Sequence, residues 1–191
     1  KTCIDAGADG ITVHPRPDQR HIRPHDVYEL SELVKIYHAV EFNIEGNPYA
    51  EPLGDFPGFI KLVCDVVPDQ CTLVPDTNHQ LTSDHGFDLK VAGKKLKPLI
   101  KELKDLGIRV CLFMDPDIDQ ISLAKEIGAD RIELYTGPYA KAFKTSGPSF
   151  DQLFQRYLAA ARHAQAIDIG INAGHDLNLD NLAHFRQIPA L

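Results

Sequence analysis

The chain has 191 residues, of which 43% are hydrophobic and 25% charged, so it carries enough apolar material for one substantial globular core. Lys and Arg total 20 against 27 Asp and Glu, a net charge of −7, which excludes a basic nucleic-acid footprint. No apolar stretch approaches the roughly 18 residues of a membrane span, and the N-terminus lacks the pattern of a signal peptide. We therefore expect a cytoplasmic protein with no nucleic-acid or membrane partner.

Short apolar runs alternate along the chain with segments of helical periodicity. Six strands are predicted, over Gly10–His14, Glu41–Glu45, Gln70–Pro75, Arg109–Met114, Arg131–Thr136 and Gly170–Ala173. Helices are predicted at about Asp26–Tyr37, Asp55–Val66, Lys94–Leu106, Ile118–Ile127 and Ser149–Ala166, with a short one near Leu179–Arg186. Alternation without a hairpin signal predicts parallel strands joined by right-handed crossovers.

The choice between a doubly wound sheet and a barrel depends on two features of the sequence. No GxGxxG motif follows a strand, so the dinucleotide fingerprint of the doubly wound fold is missing. Similar phrases precede two strands, Gly7–Val13 and Gly128–Leu134, as expected of repeated β/α units. We predict one domain over residues 1–191, a parallel (β/α)8 TIM barrel. Its first and last strands are expected to be missing, since six units are two short of eight and the chain begins in what resembles a helix end.

Polar residues at the carboxyl ends of barrel strands are candidates for the active site. His14 and Arg16 follow the first strand, and their two-residue spacing places both on one side of an extended chain. Histidine transfers protons near neutral pH, and arginine holds phosphate or carboxylate through two parallel hydrogen bonds. An isolated His-x-Arg is more often an ordinary polar loop, so the pair alone leaves both interpretations open.

Three further strand ends carry reactive groups. Glu45 ends the second strand, where it is either solvated or directed into the barrel mouth. Glu133 lies between two apolar residues, so alternation sends it either into the barrel or toward a helix end. His175 follows Gly174 at a turn before the last helix, where free backbone N–H groups can bind an anion. Asp176 is the next residue, and either Asp176 or Asn178 could simply cap that helix.

The segment over 74–89 is a polar loop longer than usual for a strand-to-helix connection, which is typical of a binding loop or a mobile one. Thr82 and Ser83 could offer hydroxyl groups to a substrate oxygen, or they could serve only to form turns. The four cysteines, by contrast, form no Cys-x-x-Cys pair, which indicates reduced thiols rather than disulfides or a zinc site.

Taken together, five motifs in order resemble the pyridoxine 5′-phosphate synthase family. They are His14-x-Arg16-x-Asp18-x-Arg20-His21-Ile22, Asn43-x-Glu45, Leu73-Val74-Pro75-(six residues)-Thr82-Ser83-x-x-Gly86, Ile132-Glu133-Leu134-Tyr135-Thr136-Gly137 and Asn172-Ala173-Gly174-His175. The resemblance implies a TIM barrel that condenses 1-deoxy-D-xylulose 5-phosphate with 3-amino-2-oxopropyl phosphate. The implied products are pyridoxine 5′-phosphate, phosphate and water, and the implied assembly is a homo-oligomer. It implies neither a cofactor nor a metal.

The same resemblance implies catalytic roles for four residues. His14 and Glu45 match proton acceptors of the family, His175 matches its proton donor, and Glu133 matches a carboxylate that stabilises the transition state. We expect these four groups to converge in one barrel mouth.

Binding roles follow in the same way. Arg16, His21 and Thr82 match positions that hold the deoxyxylulose phosphate, and Asp176 matches a position that contacts the aminoketone phosphate. The family's first and last strands, which help to bind both substrates, have no counterpart in this chain.

Two other functions fit the same residues. His14, Glu45, Glu133 and His175 could form a His/carboxylate metal site, as in a metal-dependent barrel hydrolase or aldolase. A barrel fragment without catalytic activity could instead bind a phosphorylated small molecule.

Overall fold

The fold is described from a computed structural model of the chain, which covers residues 1–77, 80–145, 147–189 and 191. Residues 78 and 79 of the predicted long loop lie outside the described part. Two compact units divide the chain: residues 1–83 with 101–110, and residues 84–100 with 111–191. The prediction of a single domain stays a prediction.

Strands and helices alternate as the sequence predicts. The described residues form the strands β1 (Gly10–Val13), β2 (Glu41–Gly46), β3 (Gln70–Leu73), β4 (Arg109–Met114), β5 (Arg131–Leu134) and β6 (Gly170–Ala173). They also form the helices α1 (Thr2–Asp5), α2 (Pro24–Lys35), α3 (Phe59–Val66), α4 (Leu89–Asp105), α5 (Ile118–Glu126), α6 (Gly137–Phe143), α7 (Pro148–Ala166) and α8 (Leu179–Phe185). Within the described ranges, no helix has both the length and the apolar character needed to cross a bilayer.

In the first unit β1 pairs with β2 and β2 with β3, and both pairings are parallel. The start of β4 continues this order, because the N–H of Arg109 donates to the carbonyl of Asp69 at 3.1 Å. Alternate residues of these strands form an apolar face that is almost completely buried. This face consists of Val13, Phe42, Ile44, Cys71 and Leu73.

The opposite face of the first unit is polar and hydrogen-bonded. The amide of Asn43 donates to the hydroxyl of Thr12 at 3.1 Å and to that of Thr72 at 3.0 Å. Helix α3 covers the end of β2 on the apolar side, where a Cβ at Gly46 would lie 2.3 Å from the ring of Phe59. Glycine at position 46 therefore lets the first residue of α3 pack directly on the strand, beside the polar residues at the strand ends.

The second unit repeats the parallel pattern with the rest of β4, β5 and β6. Glu133 is in register with Phe113 of β4 and Asn172 of β6. Arg131 fixes Asn172 by a hydrogen bond of 2.8 Å from Nε to Oδ1. Glu133 therefore shares a face with residues of both neighbouring strands.

Several predicted boundaries differ from the structure for local reasons. The predicted strands over Gln70–Pro75 and Arg131–Thr136 end two residues earlier, and β1 ends at Val13. For β1 and β3 the reason is proline at positions 15 and 75, which has no N–H to donate to a strand ladder. Helix α3 begins four residues later than predicted, because Leu53 and Phe56 exchange two backbone hydrogen bonds of 3.0 Å before it.

Two helices differ more strongly from the prediction. Helix α4 begins at Leu89, five residues before the predicted start, and the N–H of Leu89 is held by Oε1 of Gln120 at 2.8 Å. Helix α6 was not predicted, since its seven residues give too few turns for a clear periodic pattern. It buries Tyr139 and Ala140 among the aromatic residues of α7.

Candidate active site

His14 and Glu45 lie side by side at the carboxyl ends of β1 and β2. The parallel register pairs Val13 with Ile44, which brings the next residue of each strand together. His14 Nδ1 is 2.8 Å from Glu45 Oε1, and the two side chains are 23% and 15% exposed. A carboxylate at Nδ1 keeps the proton of the neutral ring on that nitrogen and leaves Nε2 as an acceptor. The pair can therefore take up a proton at Nε2.

Arg16 reaches across from the loop after β1 to the segment after β3. One terminal nitrogen donates to Asp76 Oδ2 at 2.6 Å, and the other donates to the carbonyl of Gln80 at 3.3 Å. The side chain is 11% exposed. Among the residues that the structure describes, these contacts use two of the five N–H groups of the guanidinium, which leaves donors that can bind an anion.

Asp76 is a site residue that the sequence reasoning missed. It is 4% exposed, and its Oδ2 accepts a second hydrogen bond from the hydroxyl of Ser83 at 2.9 Å. The amide of Asn47 donates to its backbone carbonyl at 2.6 Å. Asp76 directly follows the predicted strand over Gln70–Pro75, but an aspartate at such a position is also common in ordinary turns.

A cleft opens beside these groups within the first unit. His14, Arg16 and Asp76 line it together with Asp18, Arg20 and Asn47. Arg20, which belongs to the first motif but was assigned no role from the sequence, is paired with Asp18 at 2.9 Å. It donates to the carbonyls of Gln80 at 2.7 Å and Leu81 at 3.3 Å. Two arginines thus hold the loop after β3 against the cleft.

His21 and Thr82, both predicted to hold the deoxyxylulose phosphate, are solvent-exposed. His21 has a φ of 66°, a left-handed conformation that is uncommon for a residue other than glycine. Thr82 follows the loop segment that Arg16 and Arg20 hold. Both side chains are accessible to a ligand from solvent.

In the second unit Glu133 is half-buried on the face opposite Ile132 and Leu134, which are both fully buried. Its Oε1 would lie 3.6 Å from a Cβ added at Gly174. The carboxylate therefore lies beside the turn that leads to His175.

His175 is held from three sides. Its Nδ1 is 3.0 Å from Asp176 Oδ2, and its ring packs against the edge of Tyr135 with centroids 5.3 Å apart. Its carbonyl accepts a hydrogen bond from the buried hydroxyl of Thr136. Burial, assisted by the charge of Asp176 and two other carboxylates, raises the pKa of Tyr135, so the phenol beside His175 stays protonated at neutral pH.

Asn178, and not Asp176, caps α8. Its Oδ1 accepts from the N–H of Asp180 at 2.9 Å and of Asn181 at 3.2 Å. The side chain of Asp176 contacts His175 and does not cap the helix. Its backbone has a φ of 62°. Among the described residues, no group of three or more His, Cys, Asp or Glu side chains is arranged to hold a metal ion.

Comparison with known proteins identifies the family. A family model described as "Pyridoxal phosphate biosynthesis protein PdxJ" matches residues 1–191. The chain belongs to the PdxJ family. The pyridoxine 5′-phosphate synthase of Xanthomonas campestris pv. campestris (strain B100) is 56% identical over 185 residues, which cover 97% of this chain and 71% of that protein. The protein of the same name from Xylella fastidiosa (strain M23) is 52% identical over 183 residues, 96% and 69% of the two chains. The resemblance stated from the motifs is confirmed.

Solved structures that resemble this PdxJ-family chain support the fold. A structure described as "Native KDPGal structure" aligns with a TM-score of 0.58 at 14% identity and covers 98% of this chain and 69% of its own. A D-psicose 3-epimerase structure in the presence of D-fructose gives a TM-score of 0.50 at 14% identity, with 89% and 64% covered. Identities this low concern the fold alone. The predicted TIM-barrel class, with six parallel strands in the described residues, is confirmed.

Proposed function

We propose that the chain is a pyridoxine 5′-phosphate synthase, a transferase of vitamin B6 biosynthesis. It joins 1-deoxy-D-xylulose 5-phosphate to 3-amino-2-oxopropyl phosphate and releases pyridoxine 5′-phosphate, phosphate and water. The proposal rests on the PdxJ match along residues 1–191 and on identities of 52–56% to relatives that carry this name.

The chemistry needs several proton transfers and no change of redox state. An amine must condense with a ketone and lose water, phosphate must leave, and ring protons must be removed for the product to become aromatic. A positioned acid or base contributes roughly 10²–10⁴-fold to each such step. The pair of His14 and Glu45, 2.8 Å apart, is suited to accept these protons at His14 Nε2.

The second unit supplies the complementary roles in this proposal. His175, held by Asp176 and Tyr135, donates a proton to a leaving oxygen. Glu133 stabilises positive charge that develops on the nitrogen-bearing intermediate, since a carboxylate placed before the reaction stabilises charge without reorganisation. That these groups act with His14 and Glu45 on one pair of substrates stays a prediction.

Two phosphorylated substrates require anion sites. Arg16 offers a planar set of donors to the phosphate of the deoxyxylulose, and the exposed side chains of His21 and Thr82 are accessible to the same substrate. Because the side chain of Asp176 faces His175, its main-chain N–H is the group suited to contact the phosphate of the aminoketone. Cytoplasmic location and homo-oligomeric assembly stay predictions of the sequence.

The test is turnover by the full-length protein with both substrates and a metal chelator present. Mass spectrometry should detect pyridoxine 5′-phosphate only when both substrates are added. A metal-dependent hydrolase or aldolase would instead degrade one substrate alone and lose activity with the chelator. A non-catalytic binding protein would retain substrate without forming product. Either of these results would contradict the proposal.

A further inference from the structure

We infer that Asp76 is a positioning residue that holds Arg16 in place for phosphate binding and fixes it relative to His14. The identity of the phosphate ligand rests on the proposed function, whereas the role of Asp76 rests on geometry within the first unit.

One carboxylate oxygen of Asp76 lies between Arg16 and His14. Oδ2 accepts from Arg16 at 2.6 Å and from Ser83 at 2.9 Å, and it lies 4.0 Å from Nε2 of His14. Asn47 fixes the backbone of the same residue. The carboxylate is therefore anchored independently of Arg16, so it can act as a fixed point against which the guanidinium is placed.

The other oxygen of Asp76 indicates more than a structural role. Oδ1 is buried, and within the described ranges it has no hydrogen-bond partner. A buried carboxylate oxygen without a donor destabilises the folded protein, and such groups are uncommon away from functional sites. The negative charge of Asp76 strengthens the hydrogen bond from the Arg16 guanidinium, and a neutral acceptor at this position would hold the guanidinium less firmly.

Arginine gains from such an anchor when it binds an anion. Its long side chain loses conformational freedom on binding, and a partner that orders it beforehand removes this cost from the binding step. The negative charge of Asp76 has the opposite effect, because it repels phosphate. The two effects predict opposite results when the charge is removed, which makes them separable by experiment.

The experiment measures binding of inorganic phosphate to the full-length protein by isothermal titration calorimetry, for the wild type and for Asp76→Asn. An Arg16→Ala variant identifies which binding event belongs to this cleft. We expect Asp76→Asn to weaken that event by about tenfold or more, and to raise KM for the deoxyxylulose phosphate by a similar factor with a smaller change in kcat. Asp76→Glu should not restore binding, because its longer side chain displaces the carboxylate by on the order of 1 Å.

Glu41→Gln is the matched control. Glu41 pairs with Arg109 at the opposite ends of the strands, with Nη1 3.1 Å from Oε1. Because this pair is exposed to solvent, its loss should change thermal stability little and leave phosphate affinity and KM unchanged. Tighter or unchanged phosphate binding by Asp76→Asn would overturn the inference, as would a fall in kcat at constant KM. So would a wild type that binds no phosphate at Arg16. Absence of pyridoxine 5′-phosphate would defeat the proposed function alone, because the phosphate titration still decides the role of Asp76.

Discussion

His14 Nδ1 and Glu45 Oε1 lie 2.8 Å apart at neighbouring strand ends, both largely shielded from solvent. If Glu45 makes His14 an effective base, Glu45→Gln should reduce kcat by roughly 10²–10⁴-fold. The glutamine oxygen still accepts a hydrogen bond from Nδ1–H, so the melting temperature should change little. Steady-state kinetics with thermal unfolding of the same sample checks both points. A variant with kcat near that of the wild type would remove Glu45 from the catalytic machinery.

Replacement of Arg16 by Lys should weaken use of the deoxyxylulose phosphate more than it disturbs folding. Lysine keeps the positive charge beside Asp76 but loses the planar arrangement of donors. We expect KM for that substrate to rise about tenfold or more, which corresponds to about 1.4 kcal/mol, with KM for the aminoketone phosphate unchanged. If neither KM nor kcat changes, Arg16 does not belong to the binding site.

Glu133→Gln separates a catalytic carboxylate from a structural one. The substitution keeps the size of the side chain and removes its charge. If Glu133 stabilises the transition state, kcat should fall by roughly two to four orders of magnitude while thermal stability is unchanged or higher. A structural carboxylate would instead lower stability by about 1–3 kcal/mol and leave the folded fraction active, and that pattern would contradict the assignment.

Alkaline pH should destabilise the protein through two buried groups. Burial raises the pKa of the Cys71 thiol and of the Tyr157 phenol above their ordinary values of 9.0 and 10.0. The unfolded chain therefore loses these protons first, and stability that is fully present below pH 9 is lost as pH rises. Each group should lower the free energy of unfolding by about 1.4 kcal/mol per pH unit above its ordinary pKa.

Urea unfolding between pH 8 and 10.5 measures this effect, and Cys71→Ala is the control. The control should be less stable at pH 8 because of the cavity it leaves, but its stability should fall less steeply with pH.

In the native protein a thiol reagent should label the exposed Cys3 and leave Cys71 and Cys111, both buried, unmodified. Fast labelling of Cys71 under native conditions would contradict the buried position of its thiol.

The sequence was sufficient for those parts of the fold that depend on local pattern. Strands β4 and β6 have the predicted bounds because each is a short apolar run closed by polar or turn residues. The start of α4 could not be read locally, since Gln120, 31 residues away, holds the N–H of Leu89. Short helix α6 depends on burial of Tyr139, which is also a tertiary effect.

In the candidate site, too, some residues could be predicted from local sequence and others depend on tertiary contacts. Spacing on an extended chain indicated His14 and Arg16, and strand position indicated Glu45. Asp76 contacts Arg16 from 60 residues away, so its role depends on how two loops meet. No local pattern distinguishes such an aspartate from an ordinary turn residue. The sequence left open whether Asp176 or Asn178 caps α8, and the structure shows that Asn178 is the cap while Asp176 contacts His175.

The most direct test of the central claim is the ratio of phosphate released to pyridoxine 5′-phosphate formed by the full-length protein. Condensation of the two substrates releases one phosphate for each ring that closes, so a ratio of about one is expected at every time point. The rate should require both substrates and should fall in parallel for both products in Glu45→Gln. Phosphate release without pyridoxine 5′-phosphate, or from either substrate alone, would contradict the account.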